Sequence, residues 1–138
     1  MERSLNILLV DDDSVDVMNV QRALKKNNSP SRVWVATNGI EALDMLRSNV
    51  IPEERRLILL DLNMPRMNGI EFLRALRLDP TLASSSVVVL TTSREESDRD
   101  AVYELHAAGY LLKPVDFDEC VEMIGALCQY WSRVEMGG

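Results

Sequence analysis

The chain has 138 residues, 46% hydrophobic and 27% charged, with a formal net charge of −7. That size and balance suit one compact domain with an ordinary core, and they exclude a disordered or fibrous chain. A surplus of acid with no basic stripe argues against nucleic acid as a direct partner. No apolar run approaches the ~20 residues that cross a bilayer, and no signal-peptide pattern opens the chain, so a cytoplasmic protein off the membrane is expected. Cys120 and Cys128 are the two cysteines. They fall in one helical segment, too far apart along its axis to pair, and read as buried small hydrophobes in a reduced protein.

In chain order, Leu5–Val10 is a nearly continuous apolar run, the pattern of a strand buried on both faces, and it stops at Asp11-Asp12-Asp13. Ser14 is a candidate cap for a helix whose apolar side carries Val17, Val20 and Leu24, ended by Asn27-Asn28-Ser29-Pro30. Arg32–Ala36 is a second strand, and Asn38-Gly39 opens a helix carrying Ala42, Leu43 and Leu46. Leu57–Leu60 is a third strand, ending at Asp61. A loop over 64–69 leads to a short helix from Ile70 to Arg77, broken by Asp79-Pro80. Val87–Leu90 is a fourth strand ending at Thr91, and a charged helix follows from Glu95 to Ala107, with the lone His106 on it as a solvated residue. Tyr110–Leu112 is a fifth strand ending at Lys113-Pro114, and the last helix runs from about Asp116 to Arg133.

Five doubly apolar strands alternating with helices predict an α/β fold, an open parallel sheet with helices on both faces. One domain fills residues 1–138, with no linker, repeat or room for a separate output domain. In such a sheet, ligands bind beyond the carboxyl ends of the strands. Those ends offer Asp11, Asp12 and Asp13 from the first strand, Asp61 from the third, Thr91 from the fourth and Lys113 from the fifth. A polar residue at one strand end is the ordinary product of a loop. The set converging on one edge is not.

Chemistry accounts for the set. Carboxylates gathered this closely raise each other's pKa unless a cation holds them ionised. An oxygen-only pocket of two or three carboxylates suits Mg²⁺, which shares an oxygen with a phosphate. Asp61 can attack phosphorus in line to form an aspartyl phosphate. Lys113 and Thr91 can meet the transferred oxygens.

The runs Leu9-Val10-Asp11-Asp12-Asp13, Leu59-Leu60-Asp61-Leu62-Asn63-Met64-Pro65, Met67-Asn68-Gly69, Val89-Leu90-Thr91-Thr92 and Gly109-Tyr110-Leu111-Leu112-Lys113-Pro114 together resemble the receiver domains of two-component response regulators. The resemblance covers essentially the whole chain. It implies a flavodoxin-like strand order of 2-1-3-4-5 and a phosphoryl group taken from a sensor histidine kinase. By resemblance, Asp61 is phosphoacceptor and metal ligand, Asp12 a direct Mg²⁺ ligand, Asp11 a ligand through water, and Asn63 a ligand through its backbone carbonyl. Thr91 resembles the switch hydroxyl, Tyr110 the aromatic whose rotamer follows it, and Lys113 the phosphate-contacting lysine, with a cis bond to Pro114. Asn63 and Ser93 are expected beside the phosphoryl group, where they could tune its hydrolysis. Asp13 matches no essential family position and reads as the start of the first helix, favourable near its dipole.

The loops over 49–56 and 78–86, with Tyr130-Trp131 near the end, look like the single-domain regulators paired with bacterial or cyanobacterial phytochrome kinases. With no output domain expected, the signal must be a changed surface, and the last helix is the candidate. Phe117, Val121, Ile124, Cys128 and Trp131 make its expected core stripe. Met123, Leu127, Tyr130 and Val134 widen the apolar arc, and Tyr103 adds to it from the preceding helix. The family often dimerises through the fourth helix, fifth strand and fifth helix, so these five residues form the expected homodimer surface.

Three rival readings are weaker. A phosphatase of the haloacid dehalogenase type needs a second acid two residues after the nucleophile, where this chain has Asn63. A flavodoxin-type binding module needs a phosphate-cradling loop after the first strand, where three acids stand instead. An unphosphorylated, degenerate receiver is opposed by the intact Asp12, Asp61, Thr91 and Lys113.

Overall fold

A computed structural model describes residues 3–136. The elements are β1 (Asn6–Val10), α1 (Ser14–Lys26), β2 (Arg32–Ala36), α2 (Gly39–Arg47), β3 (Arg56–Leu60), α3 (Gly69–Leu78), β4 (Ser86–Thr91), α4 (Glu96–Glu104), β5 (Gly109–Leu112) and α5 (Phe117–Arg133). The five strands form one sheet in the order β2-β1-β3-β4-β5, and every neighbouring pair is parallel. This is the flavodoxin-like order that the family resemblance implied.

The strands are apolar at successive positions because both faces are covered. Leu8, Val10, Ile58, Leu60, Val87 and Val89 point to one face, where they meet Ala42, Leu43 and Leu46 of α2, Phe72, Leu73 and Leu76 of α3, and Val102 of α4. Ile7, Leu9, Leu57, Leu59, Val88 and Leu90 point to the other, against Val20, Ala23 and Leu24 of α1 and Cys120, Ile124, Cys128 and Trp131 of α5. Alternation with period two along each strand thus builds two cores from one sheet. Both cysteines are buried, and neither forms a disulfide among the described residues.

Several expected details change. Asp13, not Ser14, caps α1, its carboxylate accepting from the Val15 and Asp16 N–H groups, which agrees with its reading as the helix start. α4 stops at Glu104, so His106 is not on it but just beyond, exposed and left-handed at φ 62°. The chain turns there on two backbone bonds, His106 N–H to Tyr103 O and Ala107 N–H to Val102 O, each at 3.0 Å, and Arg77 braces the turn. Its guanidinium donates to the Leu105 and His106 carbonyls at 2.7 and 3.0 Å, and to Ala83 and Ser85 across the 79–85 loop. That satisfies the carbonyls a longer helix would otherwise have bonded.

On α5 the buried stripe holds Cys120 and not Val121, which is half-buried. Ile124, Cys128 and Trp131 keep their expected places, so the stripe's phase is nearly as read and only its first turn favours Cys120, which lies closer to the Ile124 line than Val121 does. The peptide bond between Lys113 and Pro114 is trans, as no described bond is cis. Trans is the isomer an X–Pro amide favours by about 0.5–1 kcal/mol unless its surroundings select the other.

Candidate functional site

The sheet order reverses between β1 and β3, which opens a crevice at their carboxyl ends. Backbone pairing continues past the strands there. Asp11 N–H donates to Ala36 O, Asp61 N–H to Val10 O and Lys113 N–H to Thr91 O, each at 2.9 Å. Three of the predicted site residues are therefore placed by the sheet ladder itself, not by flexible loops. Gly69, the first residue of α3, closes the crevice on the β3 side, its N–H donating to Leu62 O at 3.0 Å. A Cβ at this glycine would overlap the Asp61 carbonyl oxygen and the Leu62 Cα, so the close approach requires glycine.

Asp11 and Asp61 are buried, while Asp12 is exposed at the mouth. Carboxylate oxygens of all three lie within 4.8 Å of one another. Lys113 reaches over from β5, its side chain only 10% exposed. Its Nζ stands 3.0 Å from Asp11 Oδ2, 3.2 Å from Asp61 Oδ2 and 2.6 Å from Asp16 Oδ2.

Burial pushes the Asp11 carboxyl above the usual carboxylate range, against the Asp13 N–H and Lys113, which pull it down. Burial alone would lower the Lys113 ammonium, but hydrogen bonds to Asp16 and Asp11 and the charges of Asp11 and Asp61 outweigh it and raise it above its ordinary value. Lys113 therefore stays charged throughout the neutral range.

Thr91 is fully buried, and its hydroxyl accepts from the Ser93 N–H at 3.3 Å. Tyr110 is half-buried, with its hydroxyl donating to Ser93 O at 2.8 Å. Ser93 Oγ in turn donates to Asp98 Oδ2 at 2.7 Å, in the first turn of α4. Thr91, Tyr110 and the start of α4 thus meet through one residue. Asn63 is exposed, and its N–H approaches Asp61 Oδ1 at 3.4 Å.

Three carboxylates, Asp11, Asp16 and Asp61, meet one ammonium, and Asp12 adds a fourth beside Asp11 and Asp61, so the cluster carries an excess of negative charge. All of its acceptors are hard oxygens. A divalent cation of the Mg²⁺ type fits both the donor set and the charge imbalance.

Asp16 was not singled out from the sequence. An acid in the first turn of a helix is so commonly a partner of the helix dipole that its register toward the sheet edge gave no separate signal. The predicted dimer surface is divided. Tyr103 and Tyr130 are exposed at 48% and 63%, whereas Met123, Leu127 and Val134 pack partly against the chain's own core.

Residues 7–125 match the family model for the response regulator receiver domain. The chain is similar to the response regulator Rcp1 of Synechocystis, 36% identical over 91% of this chain and 87% of that protein. It is also similar to the probable methanogenesis regulatory protein FilR2 of Methanothrix harundinacea, 33% identical over 91% of this chain and 82% of that one. Among solved structures, the phosphorylated cyanobacterial phytochrome response regulator RcpA superposes with a TM-score of 0.88 at 32% identity, covering 99% of this chain and 100% of that one. Among the described residues, no helix is long and apolar enough to cross a membrane.

Proposed function

This chain belongs to the response regulator receiver family, and from that membership we propose that it takes a phosphoryl group from a sensor histidine kinase onto Asp61. The observation that carries this reading is the meeting of Lys113 Nζ with Asp11 and Asp61 at one end of the sheet. An Asp61 carboxylate oxygen attacks phosphorus as the bond between phosphorus and the kinase imidazole nitrogen breaks. That nitrogen keeps the electron pair, and the product is an aspartyl phosphate.

Lys113 is aimed at the oxygens the transfer delivers, and the Thr91 hydroxyl lies at the end of the neighbouring strand to donate to them. Mg²⁺ held by Asp12, Asp61, the Asn63 backbone carbonyl and, through water, Asp11 would supply charge neutralisation between the anionic donor and the anionic acceptor. The three clustered carboxylates support that ligand set. Tyr110 and Ser93 link the Thr91 end to α4, which supports a switch in which Thr91 and Tyr110 move together.

The message then leaves as a changed surface of this one domain, acting in the cytoplasm. The surface is α4, β5 and α5, where two copies meet through Tyr103 and Tyr130 with the outer parts of Met123, Leu127 and Val134. A phytochrome-type kinase is the proposed donor, supported by the likeness to RcpA. Sedimentation should show a dimer that strengthens with a phosphoryl mimic. Monomer alone at high concentration, with and without the mimic, contradicts the dimer.

The reaction itself is tested by incubating the protein with Mg²⁺ and a small acyl phosphate. One acid-stable, base-labile phosphoryl group per chain is expected. Repeated turnover of phosphate esters would instead make the protein a phosphatase.

A further inference from the structure

The shortest contact that Lys113 makes is not with the acceptor. Its ammonium lies 2.6 Å from Asp16, against 3.0 Å for Asp11 and 3.2 Å for Asp61. A lysine has three N–H donors, and these three carboxylates account for all of them. Asp16 is held for this contact. Its own N–H is bound by the Asp13 cap in the first turn of α1, so its carboxylate stands on a rigid element. Lys113 and Asp16 also share the wall of a small pocket of about 60 Å³ with Asp11, Asn19, Pro114 and Cys120, a pocket that Asp61 does not line. Lys113 is thus held toward the α1 side of the crevice.

That placement bears on the carboxylates a cation must use. An ammonium seated fully on Asp11 and Asp61 would compete with a divalent ion for the same oxygens. An ammonium held by a third acid leaves them less occupied. We propose that Asp16 is a positioning residue: it takes one of the three Lys113 N–H donors, so that the ammonium is shared with the Asp11–Asp61 pair and competes less with a divalent cation for that pair in the unphosphorylated protein. The inference rests on the phosphoacceptor reading above and adds to it a residue outside the motifs that identify the family.

The test is a double-mutant cycle read by calorimetric Mg²⁺ binding to the unphosphorylated protein. Asp16→Asn keeps the shape and removes the charge, and it is expected to weaken Mg²⁺ binding by about threefold, the scale of a half-exposed ion pair. In a Lys113→Met background, where no ammonium remains to be held, the same substitution is expected to change the constant by less than about twofold.

An equal loss in both backgrounds would overturn the proposal, because Asp16 would then act only as a nearby negative charge. No loss in either background would overturn it as well. Asp16→Ser, measured alongside, guards against misfolding of the first variant. Acyl phosphate labelling separates the two readings: if the parent is not labelled, the phosphoacceptor function fails, whereas a labelled parent with an uncoupled cycle removes only the role of Asp16.

Discussion

At the carboxyl edge of the sheet three carboxylates share one ammonium beside a fourth acid, Asp12, whereas at the amino edge arginines direct their donors into backbone carbonyls. Arg3 donates to Ser132 O and Val134 O at 2.9 and 3.1 Å. Arg55, left-handed at φ 52°, donates to Val134 O at 3.1 Å and to Trp131 O. These groups supply the last turn of α5 with the donors it lacks and complement the negative end of its dipole. Arg56 is buried beside them and donates to Ile51 O at 3.3 Å.

Both edges concentrate charge where strands end. At the amino edge that charge is matched by the fold's own carbonyls and holds the structure together. At the carboxyl edge it is left in excess, and the excess is what binds and reacts.

Breaking the amino edge should therefore cost stability and spare chemistry. Arg55→Ala removes two charge-assisted bonds to the end of α5 and is expected to lower unfolding stability by about 2 kcal/mol. Urea denaturation measures this, and labelling of the folded fraction should be unchanged. A variant as stable as the parent would show that the α5 carbonyls are served equally well by water.

Breaking the carboxyl edge should do the reverse. Asp11 is held above the usual carboxylate range by burial, so it costs stability as the pH rises from its unfolded value to its folded one, and in full above that. Asp11→Asn keeps an oxygen for the Asp13 N–H and is expected to raise the melting temperature of the Mg²⁺-free protein by a few degrees at neutral pH. The gain should vanish as the pH falls below about 3.9, the unfolded value, where the native carboxyl is itself protonated in both states. The same substitution should weaken Mg²⁺ binding. A variant less stable than the parent at neutral pH would mean that the Lys113 pair outweighs burial.

Much of this contrast was legible in the sequence, but not evenly. The strands and the reactive edge were plain because each apolar run stops at Asp11, Asp61, Thr91 or Lys113, and a parallel sheet brings such stops to one side. Helix ends were less legible. Arg77 braces the chain after α4 and ties down the 79–85 loop through carbonyls of residues 83, 85, 105 and 106, and a guanidinium reaching that far leaves no local pattern.

The role of Asp16 was hidden for a similar reason. Its acid suits any first helical turn, and only the reach of the Lys113 side chain from the end of β5 brings an ammonium to it. The amino-edge arginines gave no signal because their partners lie 76 to 131 residues away. Periodicity reports what faces the core. It says little about long polar side chains that find backbone in three dimensions.

The central claim is that Asp61 alone takes the phosphoryl group. After incubation with Mg²⁺ and an acyl phosphate, hydride reduction of the adduct followed by peptide mass analysis should mark Asp61 alone, and Asp61→Asn should take up no label. Label retained by Asp61→Asn at the parent's level, or a mark on Asp11, Asp12 or Asp16 in the parent, would contradict it.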